Sequence, residues 1–409
     1  KLNGNTNLLI PLRFYANRIP YANNPTDLAF PKLKVTPTRF KFILDQNIKP
    51  NKIGFINPFS KKKFKLEYKS FSTFPASRFN IPLHNNIIIK NKIILAGEIN
   101  IKKTTIYNDA VEIKPGTRFL IENNSSIIFK NKILALGTKE EPILFKNIKL
   151  KEWGTVALQG GNTKNSILNN IIFEGGSGTT HRNISYTGAL SIHDTNNITI
   201  SNIKMRNNSK YDDMIHIVYV DNIKLKNIQI QNSFMDAIDI DMSTNVEINN
   251  VEIYNSGNDG IDLMESDTII RDVKIKNSAD KGISVGENSF LILNNSLISN
   301  NDIGIATKDK SFSFIINSDL IQNNISLSNY KKNLQYGDGG ITKVYKSILS
   351  KNKDISVDKH STIELTDSNI DNINIKNKMI YGKKNEDHLL TLKKNTYEEM
   401  IKKLRIFIQ

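Results

Sequence analysis

Acidic and imidazole side chains recur at one phase of a repeated phrase. The phrase is DMIHI from Asp213, DAIDI from Asp236, DGIDL from Asp259 and KGISV from Lys281, at steps of 23, 23 and 22 residues. Read as a β-strand, each copy sends alternate side chains to opposite faces. With Ile238 and Ile240 inward, Asp239 and Asp241 point outward. The same parity predicts one outward column of Ser191, His216, Asp239, Asp262, Ser284 and Ala306. A second column holds His193, Val218, Asp241, Met264, Gly286 and Lys308. Strand neighbours sit about 4.8 Å apart, so Asp239 falls over Asp262. Like charges that close disfavour double ionisation, and one pKa rises unless a cation intervenes. A face that needed only solubility would alternate its signs, so His216, Asp239, Asp241 and Asp262 are the candidate catalytic residues. Asp239, Asp241 and Asp262 are also the candidate metal ligands, with Ca²⁺ as the ion that suits carboxylates. His193, Lys281 and Lys308 are candidate substrate-binding residues. Asp213, Asp236 and Asp259 stand at the strand starts, where a carboxylate can cap a corner by accepting backbone N–H groups. Glu265, Glu287 and Asp309 fall just past the strands and read as solvated turn residues.

The element that must position these groups is a stacked repeat, because a fixed period near 23 residues marks a solenoid. After each phrase come a turn, an alternating apolar strand, an Asn or Asp, and another such strand. One column of turn residues holds Asn170, Asn202, Asn227, Asn250, Asp272, Asn295 and Asn317, with Asp367 later. A second holds Asn207, Asn232, Asn255, Asn277, Asn300 and Asn323. Asn tolerates the left-handed backbone of a sharp corner, and stacked Asn side chains can hydrogen-bond along the axis as an asparagine ladder. Two such columns mark two corners of a coil. A single coil cannot bury its apolar side, whereas stacked coils can, pairing as parallel strands. The fold class is therefore all-β: a right-handed parallel β-helix of roughly ten to twelve coils of about 22–25 residues, handedness following the usual bias of parallel connections.

This predicts three regions. Residues 1–84 form an irregular, Pro-rich, basic N-terminal region with a few strands, including a hairpin in FINPFSKKKFKLEYKS. Residues 85–378 form the β-helix. Residues 379–409 form a C-terminal cap, with a helix over 395–408 carrying acidic residues in its first turn and basic ones near its end. Residues 329–340 (NYKKNLQYGDGG) interrupt the period and predict a protruding loop.

The net charge of +16 is unevenly spread. Residues 1–115 carry 20 Lys and Arg against 6 Asp and Glu, residues 374–409 carry 9 against 4, and residues 116–373 carry 27 against 30. The repeat body is thus slightly acidic. The basic turn at residues 61–63 has no helix or aromatic platform beside it, so no nucleic-acid partner is expected. There are no cysteines, which excludes a disulfide framework and thiol chemistry. No apolar run reaches the roughly 18 residues of a transmembrane segment. The chain starts at Lys1, and reads as a mature form or a fragment of something longer.

The period, the Asn columns and the turn grammar over residues 85–378 resemble the pectate-lyase-like family of right-handed β-helix proteins. The phrases GNDGIDL (257–263) and ADKGISVGENS (279–289) also resemble β-helix segments that follow spore-coat-protein-H-like kinase domains in bacterial surface proteins. No kinase motif is present, so that resemblance implies an upstream domain outside this chain. The family resemblance implies a carbohydrate-active protein, a lyase, hydrolase or epimerase, acting on an extracellular or cell-surface polysaccharide from a secreted, periplasmic or surface location. It also implies working groups on an outward strand face, where Asp239, Asp241 and Asp262 lie. The polygalacturonase set of NTD, paired Asp, GHG and RIK motifs is absent. Asp212-Asp213 is followed by Met-Ile-His rather than a lyase or epimerase signature, and Lys308 is the nearest substitute for an Arg base. Two mechanisms stay open. A bound Ca²⁺ could acidify a uronate C5 proton with His216 or Lys308 as base, or a protonated Asp and its ionised neighbour could act as acid and base or nucleophile. The acidic body disfavours a strongly anionic substrate unless Ca²⁺ intervenes. The alternative to an enzyme is a non-catalytic β-helix, used as a rod or as a glycan-binding adhesion module.

Overall fold

The computed structural model describes residues 54–56, 63–65, 92–148, 152–371, 373–375 and 379–382. The chain divides into two compact units, Lys1–Thr73 and Phe74–Gln409. In the first, Gly54–Ile56 pairs antiparallel with Lys63–Lys65, in the register Phe55 opposite Phe64. This is the hairpin the sequence predicts.

The second unit is a parallel β-solenoid of about 12 turns. Each full turn contributes to three faces. The first face starts at Ile93–Leu95 and Val111–Ile113 and ends at Thr362–Thr366. The second starts at Glu98–Ile101 and Arg118–Ile121 and ends at Ser368–Ile370. The third, which carries the candidate site, runs from Thr105–Tyr107 to Asp354–Val357. The expected start at residue 85 lies outside the described residues, as does the predicted helix over 395–408. Near the C-terminal end the direction reverses. Ile373–Ile375 pairs antiparallel with Ser368–Ile370, and Met379–Gly382 pairs antiparallel with Thr362–Thr366. The last strands of the first and second faces thus have partners rather than free N–H and C=O groups, which would invite edge-to-edge association.

Alternation builds the core. Ile215, Ile238, Ile261, Ile283 and Ile305 stack in register on the third face and are fully buried. Fully burying one such side chain is worth about 1.5–3 kcal/mol. Phe119, Phe145 and Phe173 stack in the second face at ring separations of 4.6 and 4.9 Å.

The corners are left-handed, as an Asn-rich pattern requires. Asn170, Asn202, Asn227, Asn250, Asp272, Asn295, Asn317 and Asp367 all have φ between 45° and 56°. Lys346, at φ 48°, fills the place between Asn317 and Asp367 that the Asn pattern left blank. Asn227 Nδ2 donates to Asn202 Oδ1 at 2.9 Å, and Asn250 Nδ2 to Asn227 Oδ1 at 2.8 Å. In the second column Asn207, Asn232, Asn255, Asn277 and Asn300 are left-handed, but Asn323 is not. Gln322 takes that corner, at φ 60°. Asn323 lies one residue further on, in a buried column where Asn301 Nδ2 donates to Asn323 Oδ1 at 2.9 Å and Asn323 Nδ2 to Asn352 Oδ1 at 3.3 Å. A third left-handed corner, with Asn197, Asn222 and Asn245, separates the third face from the first.

Serines make a further column. The amide of Ser243 donates to Ser266 Oγ at 3.0 Å, that of Ser266 to Ser289 Oγ at 3.0 Å, and that of Ser289 to Ser311 Oγ at 3.1 Å. Each coil therefore satisfies a buried backbone donor of the coil before it.

Candidate functional site

The third face places the predicted outward column in register: Ser191, His216, Asp239, Asp262, Ser284 and Ala306 pair in sequence. Ser191, Ser284 and Ala306 are fully buried, whereas the side chains of Asp239 and Asp241 keep 20% and 18% exposure. The solvent-accessible chemistry is thus concentrated at Asp239, Asp241 and Asp262 in the middle of the face, Asp262 being half-buried as well.

His216 stands behind them. Its Nε2 lies 3.7 Å from Asp239 Oδ2 and 3.7 Å from Asp241 Oδ2. Its Nδ1 lies 3.1 Å from His193 Nε2, with the rings edge to face. His193 in turn stacks on Tyr186 at 5.0 Å. Burial, then the charges of His216 and Lys130, hold His193 well below the usual imidazole range, so it is neutral. If His216 Nδ1–H donates to His193, the His216 Nε2 lone pair faces the carboxylates; with the proton shared the other way, Nε2–H faces them. In both arrangements Nε2 is the ring atom that faces Asp239 and Asp241.

Burial pushes the Asp239 carboxyl well up, and neighbouring Asp241, Asp213, Asp262 and Asp236 push it further. Asp239 is thus disposed to hold a proton. Asp262 keeps Oδ1 buried without a hydrogen-bond partner. Towards it comes Lys308, which is 5% exposed and lies over Gly286. A Cβ at Gly286 would meet Lys308 Cε at 3.0 Å, so the glycine gives the lysine stem its path. Burial alone would lower the Lys308 ammonium, but Asp262 and Glu287 outweigh it and raise it.

The strand-start column is divided in its roles. Asp236 Oδ1 accepts the Asp259 amide at 2.7 Å, and Asp259 Oδ1 accepts the Lys281 amide at 2.9 Å, as the capping reading expects. Lys281 Nζ is engaged with Asp259 at 3.4 Å and with Asp280, so its charge serves the corner. Burial raises Asp236 to about 8 and Asp259 to about 6, each helped by neighbouring carboxylates. Asp213 differs. Its Oδ2 accepts the Thr187 hydroxyl at 2.6 Å, while its Oδ1 is buried with no partner.

Among the described residues, two groups could hold a metal ion. One ligand atom each from Asp213, His216 and Asp239 lie within 4.8 Å of one another, and the same holds for Asp212, Asp213 and Asp236. Asp239 alone of the expected ligands Asp239, Asp241 and Asp262 enters a group, because Asp213 reaches in from the corner while Asp262 sits a coil away. Asp213 is thus not a corner cap like Asp236 and Asp259. The sequence signal for the difference is the preceding residue, Asp212, which has no acidic counterpart before Asp236 or Asp259.

Asp309 and its neighbours correct another expectation. Asp309 is fully buried rather than solvated. Its Oδ1 accepts the amides of Lys332 and Asn333 at 2.7 and 2.8 Å, and its Oδ2 accepts Asn333 Nδ2 at 3.0 Å. Asn333 Nδ2 also reaches Glu287 Oε1 at 3.2 Å, and Tyr336 OH reaches Glu265 Oε1 at 3.4 Å. The predicted loop is therefore bound along the edge of the third face, with a short 3₁₀ turn at Leu334–Tyr336 and Leu334 exposed at its tip. A separate cleft of about 400 Å³, lined by Asn170, Asn202, Asn227 and Asn250, lies over the corner between the first and second faces, away from this chemistry.

No curated protein matches the chain. Among solved structures, it is similar to an exopolygalacturonase from Thermotoga maritima at 10% identity and TM-score 0.46, covering 71% of this chain and 95% of that one. It is similar to the mannuronan C-5 epimerase AlgE4 A-module from Azotobacter vinelandii at 13% identity and TM-score 0.41, covering 71% and 89%. It is similar to the pectate lyase Pel9A at 9% identity and TM-score 0.35, covering 68% and 78%. Residues 213–399 match the family described as the right handed beta helix region. With the three parallel faces and their register, that match identifies the architecture of the second unit as a right-handed parallel β-helix.

Proposed function

We infer that the chain is a carbohydrate-active enzyme that hydrolyses glycosidic linkages of an extracellular or cell-surface polysaccharide. The observation that carries this reading is the in-register stacking of Asp239 on Asp262, with the His193–His216 pair behind Asp239. Adjacent strands lie about 4.8 Å apart, near the roughly 5–5.5 Å between the carboxyl groups of retaining glycosidases.

Asp239, as the acid, gives its proton to the glycosidic oxygen while the Asp262 carboxylate bonds to the anomeric carbon and the leaving sugar departs. Water then attacks that carbon, Asp239 takes the water proton, and Asp262 is released as a carboxylate. His216 Nε2, 3.7 Å from Asp239 and from Asp241, packs behind both carboxylates and positions them. Lys308, whose ammonium Asp262 and Glu287 hold up, places a positive charge beside the nucleophile. Asp241 and Asp262 stand beside Asp239 on this face, and residues 116–373 carry more acidic than basic side chains, so the substrate is a neutral polysaccharide rather than a polyuronate. A secreted or surface location follows from such a substrate, and among the described residues no helix is long and apolar enough to cross a membrane.

The test is a reducing-sugar assay on neutral and uronate polysaccharides. Turnover should appear on a neutral chain, and Asp239→Asn and Asp262→Asn should each lose about 10²–10⁴-fold in rate with an unchanged circular dichroism spectrum. Polysaccharide binding without turnover by the parent protein would replace this reading with the glycan-binding rod.

A further inference from the structure

A second site sits at the corner where the third face begins. The column Asp213, Asp236, Asp259, Lys281 is neutralised at one end, where Lys281 Nζ pairs with Asp259. The other end of the column is built differently. Among the described residues neither Asp213 nor Asp236 has a lysine or arginine ion pair. Instead the chain adds a further acid. The register places Leu190 opposite Ile215, a step of 25 residues, against 23 from Ile215 to Ile238. The two extra residues fall between the corner Asn207 and Asp213, six apart where Asn232 and Asp236 are four apart. They lie before Asp212, which stacks under Met235, the Met235 amide donating to the Asp212 carbonyl at 3.1 Å, and whose carboxylate comes within 4.8 Å of those of Asp213 and Asp236.

The oxygens at this corner are unequally used. Asp236 Oδ1 is committed to the Asp259 amide and to Asn258 Nδ2, both at 2.7 Å. Asp213 Oδ2 is committed to Thr187. Asp213 Oδ1 has no partner although the residue is only 1% exposed. A buried carboxylate oxygen without a donor costs on the order of 1–3 kcal/mol or more, and two further carboxylates raise that cost. The loss is recovered if a cation stands among the three. The donors are all carboxylate oxygens, with no nitrogen or sulfur, which suits a hard ion with flexible coordination rather than a transition metal. Asp212 is exposed, so water can reach the site and complete the shell.

We propose that Asp212, Asp213 and Asp236 form a Ca²⁺ site that ties the corner of one coil to the next. This site uses neither Asp239 nor Asp262, although its Asp213 also comes within 4.8 Å of His216 and Asp239, and it goes beyond the hydrolytic reading. It needs no substrate, and its failure would leave that reading untouched.

The experiment uses the full chain, stripped with EDTA and then titrated with CaCl₂ by calorimetry, with thermal melts in parallel. The expected result is one Ca²⁺ per chain with Kd in the range of about 10⁻⁵–10⁻³ M. Tm should rise by about 5 °C at a hundred-fold excess over Kd. Asp212→Asn, on an exposed side chain, should fold normally and weaken binding by about tenfold or more, since affinity follows the charge count of the ligands. Asp236→Asn should do the same, and His216→Gln should bind Ca²⁺ like the parent. No heat and no change in Tm for the parent would overturn the site. So would an equal effect from MgCl₂, or loss of binding in His216→Gln but not in Asp212→Asn, which would put the ion on the face with Asp213, His216 and Asp239.

Discussion

Truncating Ile261 to alanine tests the parity on which both the fold and the site rest. Ile261 is fully buried, with Ile238 one coil before it and Ile283 one coil after. The change removes three carbons from a column whose spacing is held by backbone hydrogen bonds on both sides. The cavity can therefore collapse little along the axis. Large-to-small changes of this kind cost about 2–5 kcal/mol, and poor relaxation puts this one near the upper half, about 4 kcal/mol. In a unit of this size that corresponds to a fall in Tm of about 8 °C. The neighbouring change Asp262→Ala deletes a partly buried carboxylate whose Oδ1 lacks a donor, so its cost should stay under about 1 kcal/mol. Urea denaturation of the two variants gives the comparison directly. A cost below about 1 kcal/mol for Ile261→Ala, or equal costs for the pair, would mean that Ile261 is not inward, and the assignment of Asp239 and Asp262 to one outward column would fall with it.

Other consequences follow from individual bonds. Ser266→Ala leaves the buried Ser243 amide without its acceptor and should cost about 1–3 kcal/mol, read as faster hydrogen exchange at Ser243. Asp309→Ala removes the acceptor of the Lys332 and Asn333 amides; limited proteolysis should then cut near Leu334 at least several-fold faster than in the parent, with the solenoid intact. His193 is held neutral in the fold, so the folded state binds fewer protons than the unfolded chain once pH falls below the ordinary value of 6.5. Stability should therefore be full above that pH and decline as pH drops below it. His193→Gln should flatten the decline, and an unchanged profile would refute the assignment.

Much of this architecture is written locally. Alternation of Ile with polar residues sets inward and outward at each strand, which is why the register of His216, Asp239 and Asp262 follows from the sequence. Left-handed corners restrict residue type, so Asn170 to Asn317 announce themselves. The pattern fails where residue type does not discriminate. Asn323 follows Gln322, and either amide could take the corner; the buried ladder to Asn301 and Asn352 decides it. Lys346 adopts the corner with no Asn signal, because stacking between two ordered coils imposes the backbone there. The burial of Asp309 depends on a loop that returns from residues 331–336, a contact no period encodes. The part played by Asp213 was hidden because the repeat made it equivalent to Asp236 and Asp259, although the two extra residues before it had already broken that equivalence.

The serine column has a consequence for how such a chain can change in length. Each hydroxyl in it serves a donor one coil away, so a coil is complete only through its neighbours. Removing residues 244–266 would bring Ser243 next to Asp267 and leave Ser243 in the place of Ser266, its amide addressed to Ser289. Every bond in the series would be restored one step shorter. Removing half as many residues would set a strand against a corner and strand every donor downstream. Duplication and loss in this molecule are therefore confined to integral steps, as in a crystal that grows only by whole layers.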